Sequence, residues 1–250
     1  MTAADVRAVA LRTLAAGGPY FTCEAHETQA RPHPGDGDWR PLDELIRDPH
    51  ALPARVADVR GHLAAAAGRP PGEVDVRAAA SVAHLGLVAR TISPLIALAA
   101  LHPAPYVPSL GEMRWQPRPG GAFPLSLPAA AFTPTGASPT VTAALIVDRL
   151  AAPWVARVAE LSVSRRTLWG NVASAVNGAG VALGAALPGQ RDRIAATVSA
   201  LLDLPALRGS HEPGAYGRDF RRRSCCLIYR AAPGPVNPAA LCGDCVLGRR

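Results

Sequence analysis

The chain reads as a mainly α protein of the α+β kind, with a helical body, one β-hairpin near residues 112–132 and a small cysteine-rich segment at the C-terminal end. Three observations predict this. Long Ala-, Leu- and Val-rich stretches carry helical periodicity, one stretch around a Pro-Gly-Gly turn has strand character, and four of the five cysteines fall between residues 225 and 245. At 250 residues, 49% apolar and 18% charged, the chain can bury a real core without a metal to hold it folded.

The elements follow in order. Thr2 to Ala16 predicts a first helix with Val6, Val9 and Leu14 turned inward, ended by Gly17-Gly18-Pro19. Ala30 to Arg40, with its His-Pro-Gly-Asp-Gly-Asp run, predicts a loop. A second helix over Pro53 to Ala67 places Val56, Val59 and Leu63 on one face and Arg55, Asp58 and His62 on the other. The third, Glu73 to Leu101, is long and apolar, and Pro94 is expected to bend or divide it.

Between Glu112 and Phe132 the pattern changes. Met113-Arg114-Trp115-Gln116, a turn at Pro119-Gly120-Gly121 and Phe123-Pro124-Leu125-Ser126-Leu127 predict a hairpin, the one convincing strand pair. Helices resume over Thr140–Leu150, Pro153–Leu161, Ser164–Leu187 and Gln190–Leu202. Gly209, Pro213 and Gly217 then mark a linker. The expected organisation is a body over residues 1–210 and a cysteine-organised segment over 211–250.

Composition excludes several functions. All 26 basic residues are arginine, which with the abundant alanine reads as a coding bias, and the net charge is +7. That charge favours anionic partners. It is too diffuse for nucleic acid, and no ribbon of arginine and aromatic residues is present for bases to stack on. The start, Met1-Thr2-Ala3-Ala4-Asp5, has no secretory pattern, so a cytoplasmic location is expected. The apolar run from Ala78 to Ala100 contains His84, Arg90 and Pro94, which predicts a buried helix and no transmembrane segment.

The chemistry gathers in the last forty residues. Ser224-Cys225-Cys226 is followed, after fifteen residues, by Cys242-Gly243-Asp244-Cys245. Four thiolates suit tetrahedral zinc or an iron–sulfur cluster, and in a reducing compartment metal is preferred to disulfides. A Cys-x-x-Cys hook brings two sulfurs together across a turn eased by Gly243. Adjacent Cys225 and Cys226 must point differently, which departs from the paired hooks of zinc ribbons and suits a two-iron cluster better. Arg218, Arg221, Arg222, Arg223, Arg230, Arg249 and Arg250 flank the group. They are either the solvated charges of a basic tail or positive charge that stabilises a reduced cluster and draws in anions.

Within the helix over 164–187, Asn171, Ser174, Asn177 and Gly178 recur at helical spacing among Ala, Val, Leu and Gly. Such a stripe either faces solvent, or a close helix contact at Gly178, Gly180 and Gly184, or lines a ligand groove. On the last reading the candidate binding residues are Asn171, Ser174 and Asn177, Trp169 beside them, and Arg90, which must find an acceptor in its apolar helix. His84 reads more simply as a core residue, and Cys23 as a buried free thiol.

Arg222-Arg223-Ser224-Cys225-Cys226-Leu227-Ile228-Tyr229 with Cys242-Gly243-Asp244-Cys245 resembles the C-terminal segment of FhuF-like ferric siderophore reductases, although the spacer is longer here and contains Pro233, Gly234, Pro235 and Pro238. Leu168-Trp169-Gly170-Asn171 before an Ala-rich helix extends the resemblance. It implies a [2Fe-2S] cluster held by Cys225, Cys226, Cys242 and Cys245. It also implies a helical body that binds a ferric siderophore, hydroxamates being one class, and an electron donor such as a ferredoxin, a flavodoxin or an NAD(P)H-dependent reductase. The implied activity is one-electron reduction of the ferric chelate to release Fe(II). The alternative from another class is a non-enzymatic siderophore-binding or biosynthesis-linked protein with a structural zinc site of four cysteines.

Overall fold

The computed structural model describes residues 2–27, 38–102, 104–214, 216–231 and 241–248. It is mainly helical with a small mixed sheet, as the periodicity predicts. The centre is α4 (Val76–Leu101), whose side chains are buried almost all round, from Ala78 to Ala100. A helix apolar on every face has to be surrounded. Around it pack α3 (Ala51–Ala66), which follows the one-turn α2 (Glu44–Arg47), and α5 (Pro139–Ile146), α6 (Ala152–Ala159), α7 (Arg165–Ala186) and α8 (Arg191–Leu202). Full burial of Ile92, Leu95 and Ile96 contributes about 1.5–3 kcal/mol for each side chain. Among the described residues α4 alone has the length and hydropathy of a membrane span, and 72% of its most apolar stretch is buried inside the fold.

Local chemistry sets the helix ends. Thr2 caps α1 (Ala3–Ala16) in a reciprocal box with Asp5, Asp75 accepts from Arg77 N at the start of α4, and Ser138 with Pro139 opens α5. Pro94 does not divide α4. Its missing N–H deprives one carbonyl, that of Arg90, of a helical partner, and the residues on both sides, from Thr91 to Leu98, are buried, so tertiary packing overrides the local break. The two helices expected over 140–161 join end to end through a π-turn at Val147–Ala151, with a buried Trp154 beyond it. After α8 a short α9 (Pro205–Arg208) stands where only linker is expected.

Three local expectations are corrected. Val9 is exposed at 43%, and Ala10 with Leu14 forms the inner face of α1 instead. Arg55 is buried at 8% and donates to the carbonyls of Arg118 and Gly120, because the 118–121 turn folds down onto α3. The hairpin, β3 (Arg114–Trp115) with β4 (Leu125–Pro128), is part of a four-stranded sheet. β1 (Glu24–His26) pairs parallel with β4, and β2 (Arg40–Pro41) pairs antiparallel with β3. Strands of two or three residues carry no alternation to read. Of the loop expected over 30–40, residues 30–37 lie outside the described residues, as do the spacer prolines and Gly234, Arg249 and Arg250.

Arg90 fastens this sheet side to the core. Its buried guanidinium donates to the carbonyls of Phe123 at 2.7 Å, Tyr20 at 2.9 Å and Thr22 at 2.6 Å. Burial lowers its pKa to about 10, so it stays charged at neutral pH. Cys23 beside it is a free thiol, pushed up to about 12 by burial.

Candidate metal centre

The cysteine segment begins as extended chain lying against α7 and α8. From Phe220 to Cys226 its side chains alternate: Phe220, Arg222, Ser224 and Cys226 are buried, while Arg221, Arg223 and Cys225 are partly or fully exposed. A period of two is what an extended backbone imposes. The adjacent cysteines therefore differ in burial, Cys226 inside and Cys225 part-exposed, while their thiols stay within hydrogen-bond reach of each other. Just before this run His211 bridges to Arg222 in antiparallel fashion and stacks on Phe220 at 5.7 Å, with its Nε2 against the Leu202 carbonyl.

The hook supplies a second pair. Cys245 N donates to Cys242 O at 3.1 Å, which closes the turn, and Cys245 is buried while Cys242 is half-exposed. Each half of the motif therefore offers one inward and one outward sulfur. Cys226 Sγ and Cys242 Sγ stand 3.5 Å apart; sulfurs sharing one tetrahedral metal at ~2.3 Å would lie about 3.8 Å apart. Backbone N–H groups point at the sulfurs from both halves, Leu227 N at Cys225 Sγ and Leu247 N at Cys245 Sγ, each at 3.3 Å. Leu227 reaches this position with φ +68°, the left-handed region, which costs about 1–2 kcal/mol outside glycine.

The crowding of thiols shows in their acidity. Close contact with the Cys225 and Cys242 thiols holds Cys226 well below the usual thiol range, with the charge of Arg222 adding to the effect, and those two neighbours are pushed up in turn. Among the described residues no three Cys, His, Asp or Glu side chains close around a single point. The donor set is two pairs of thiols without histidine, and a two-iron cluster takes two sulfurs per iron. The residues present fit that group.

Residues 222–247 match the FhuF 2Fe-2S C-terminal domain. The segment is FhuF-like, and its cofactor is a [2Fe-2S] cluster. Comparison with curated proteins finds no match for the chain.

The FhuF-like segment docks on the body through the polar stripe of α7. Asn171 is fully buried; its Nδ2 donates to Ser81 O at 3.0 Å and Ser81 Oγ at 3.1 Å on α4, and its Oδ1 accepts from Arg222 Nη2 at 2.5 Å. Ser174 donates to the Asp244 carboxylate between the two hook cysteines. Asn177 holds Gly217 from both ends of its amide, at 3.0 and 2.8 Å. The stripe is thus neither solvent-facing nor an open groove. Of the glycines expected to bring a neighbour close, Gly180 does so, against Val198 and Tyr216, while Gly178 faces open space.

Other candidates lie elsewhere. Trp169 is half-buried and packs on the body core, one residue from the docking seam. Arg90 is on the sheet side with its donors already spent on carbonyls. His84 is fully buried on α4 beside Asn171, its Nδ1 3.3 Å from Asn171 Nδ2. Burial, with the nearby Arg222 charge, lowers its pKa to about 3, so it is neutral.

Two residues of the seam escape a linear reading. Gly170 has no room for a β-carbon, because Ser224 Oγ and Arg222 Nη2 occupy that space. Arg222 stands out from its flanking arginines only once the segment is known to be extended, when the middle of Arg221-Arg222-Arg223 must face opposite to its neighbours.

Proposed function

We propose that this protein is a ferric siderophore reductase, with residues 1–210 as the body and 211–250 as the cluster segment. Cys225, Cys226, Cys242 and Cys245 are the ligands in this reading. The observation that carries it is the FhuF 2Fe-2S match over a segment whose thiols form two pairs, each with one sulfur toward solvent. The bound cluster supplies one-electron transfer chemistry there.

The surrounding residues do the rest. Buried Cys226 and Cys245 root the segment in the body, and half-exposed Cys225 and Cys242 leave an edge that redox partners can approach. Arg166 and Arg223 are exposed beside the cysteine pair, where Arg166 Nη2 donates to Arg223 O at 3.0 Å, and Arg165 and Arg218 are exposed near them in sequence. That face draws in anionic chelates and an acidic one-electron donor. Fe(III) in the chelate accepts one electron, the donor is oxidised by one, and Fe(II) leaves because hard oxygen ligands hold it less tightly. No proton transfer or nucleophile is required. Since Asn171, Ser174 and Asn177 are engaged by the cluster segment, Trp169 at the edge of the seam is the stripe-side candidate for touching the chelate, and a cytoplasmic site of action fits the reading.

The test is anaerobic. Protein reduced by one electron is mixed with ferric hydroxamate, catecholate and carboxylate siderophores while the cluster absorbance and Fe(II) release are followed. The reading expects reoxidation with stoichiometric Fe(II) for at least one class. A colourless protein carrying zinc, or a reduced cluster indifferent to every chelate, would refute it.

A further inference from the structure

Arg222 is 1% exposed, yet among the described residues no carboxylate pairs with it. One nitrogen, Nη2, is engaged, donating to Asn171 Oδ1 and more weakly to Thr167 O at 3.3 Å. Nε and Nη1 are buried without a hydrogen-bond partner among the described residues. A guanidinium cannot shed its charge to escape this, and a buried cation left without a counter-ion costs several kcal/mol. Its other neighbour, His84, is neutral and has an Nε2 without a partner, so the described residues offer Arg222 nothing anionic on that side.

The anion has to come from the other side. Arg222 precedes the first cysteine by three residues, its backbone N donates to the carbonyl of Asp244 in the hook at 3.2 Å, and its charge reaches Cys226. An all-thiolate two-iron cluster carries a net charge of about −2 oxidised and −3 reduced, so the cation stabilises the reduced form more. We propose that Arg222 is the buried counter-charge of the cluster, held on the body by Asn171, and that it raises the reduction potential of the centre. The inference rests on the reductase reading for the cluster's presence, but concerns its potential and not its substrate.

The geometry separates this role from ordinary solvated arginines. Arg218, Arg223 and Arg230 sit in water, where screening weakens their effect. Arg222 acts through a water-excluded interior, where a unit charge is felt most. Asn171 ties it to Ser81 of α4 and so fixes where the charge stands.

The experiment is an anaerobic redox titration of the cluster-loaded full chain, read by visible absorption and electron paramagnetic resonance. Arg222→Gln is expected to lower the ratio of reduced to oxidised cluster at fixed potential at least tenfold, about 59 mV for one electron. Arg222→Lys, which keeps the charge, should stay within threefold of wild type. Asn171→Asp gives the unchanged Arg222 a carboxylate partner inside the protein, and should lower the ratio in the same direction as Arg222→Gln. Wild-type potential in loaded Arg222→Gln overturns the proposal. If neither Arg222 variant loads a cluster, or both shift alike, Asn171→Asp decides: a lowered ratio supports the counter-charge and an unchanged one overturns it. Failure of wild-type protein to reduce any ferric chelate would strike the functional reading and leave this titration standing.

Discussion

Ser224 Oγ occupies the space where a β-carbon on Gly170 would stand, and the same hydroxyl donates to Arg166 O at 3.0 Å one turn earlier on α7. The residue before the cysteine pair is therefore seated directly on the body. Gly170→Val should push the segment off its seat. The expected result is iron content per chain reduced several-fold and a loss of about 1–3 kcal/mol in stability, with the far-ultraviolet helical signal kept. Iron and sulfide assays with a denaturant titration check it; full iron loading would show that the seat is not needed.

The hook cysteines should be separable from the fold. Cys242→Ser or Cys245→Ser is expected to bleach the cluster and abolish ferric-chelate reduction while most of the helical body persists, because the main core is built from the helices and sheet of the body. Absorption spectra and circular dichroism measured together test this. Reduction retained in either variant would mean that electrons take another path.

Arg90 makes a different kind of prediction. Its guanidinium satisfies carbonyls on two separate segments, at Tyr20 and Thr22 and at Phe123. Arg90→Met keeps the apolar stem but leaves those acceptors buried, each worth about 1–3 kcal/mol. Stability should fall by at least about 3 kcal/mol, with the cluster's spectrum unchanged in protein that remains folded. A change under 1 kcal/mol by denaturant titration, against that ~3 kcal/mol expectation, would mean that water or rearrangement replaces the bonds.

His84 predicts the acid limb of stability. Its folded pKa, about 3, lies below the ordinary 6.5, so below 6.5 the unfolded chain takes up a proton that the folded chain refuses. Its neutral form costs nothing above that pH. Stability should therefore fall as pH drops through the window from 6.5 toward 3, by about 1.4 kcal/mol per pH unit from this group. Half-buried His26, lowered to about 4 by burial and by Arg114, adds to the slope in the same direction. Unfolding midpoints of wild type and His84→Asn from pH 7 to pH 4 give the comparison, and the variant's slope should be shallower. Parallel slopes would remove His84 from the account.

The sequence by itself determined the helical class and the central burial of α4, and it nominated the four sulfurs. Those are written in local terms, as periodicity, apolar composition and spacing, and each survives whatever the rest of the chain does. Tertiary structure decided the rest. β1 and β2 exist only because β4 and β3 supply hydrogen-bond partners, and α4 continues through Pro94 because packing on all sides outweighs one missing bond. The stripe of Asn171, Ser174 and Asn177 has the spacing of one helix face whether it meets water, a ligand or another part of the chain. Only the fold brings it against Arg222, Asp244 and Gly217, distant in sequence, where buried polar groups must find partners. A linear reading counts Arg222 as one charge among many. Burial with no carboxylate among the described residues is a property of three dimensions, and it is what singles this arginine out as the proposed counter-charge of the cluster.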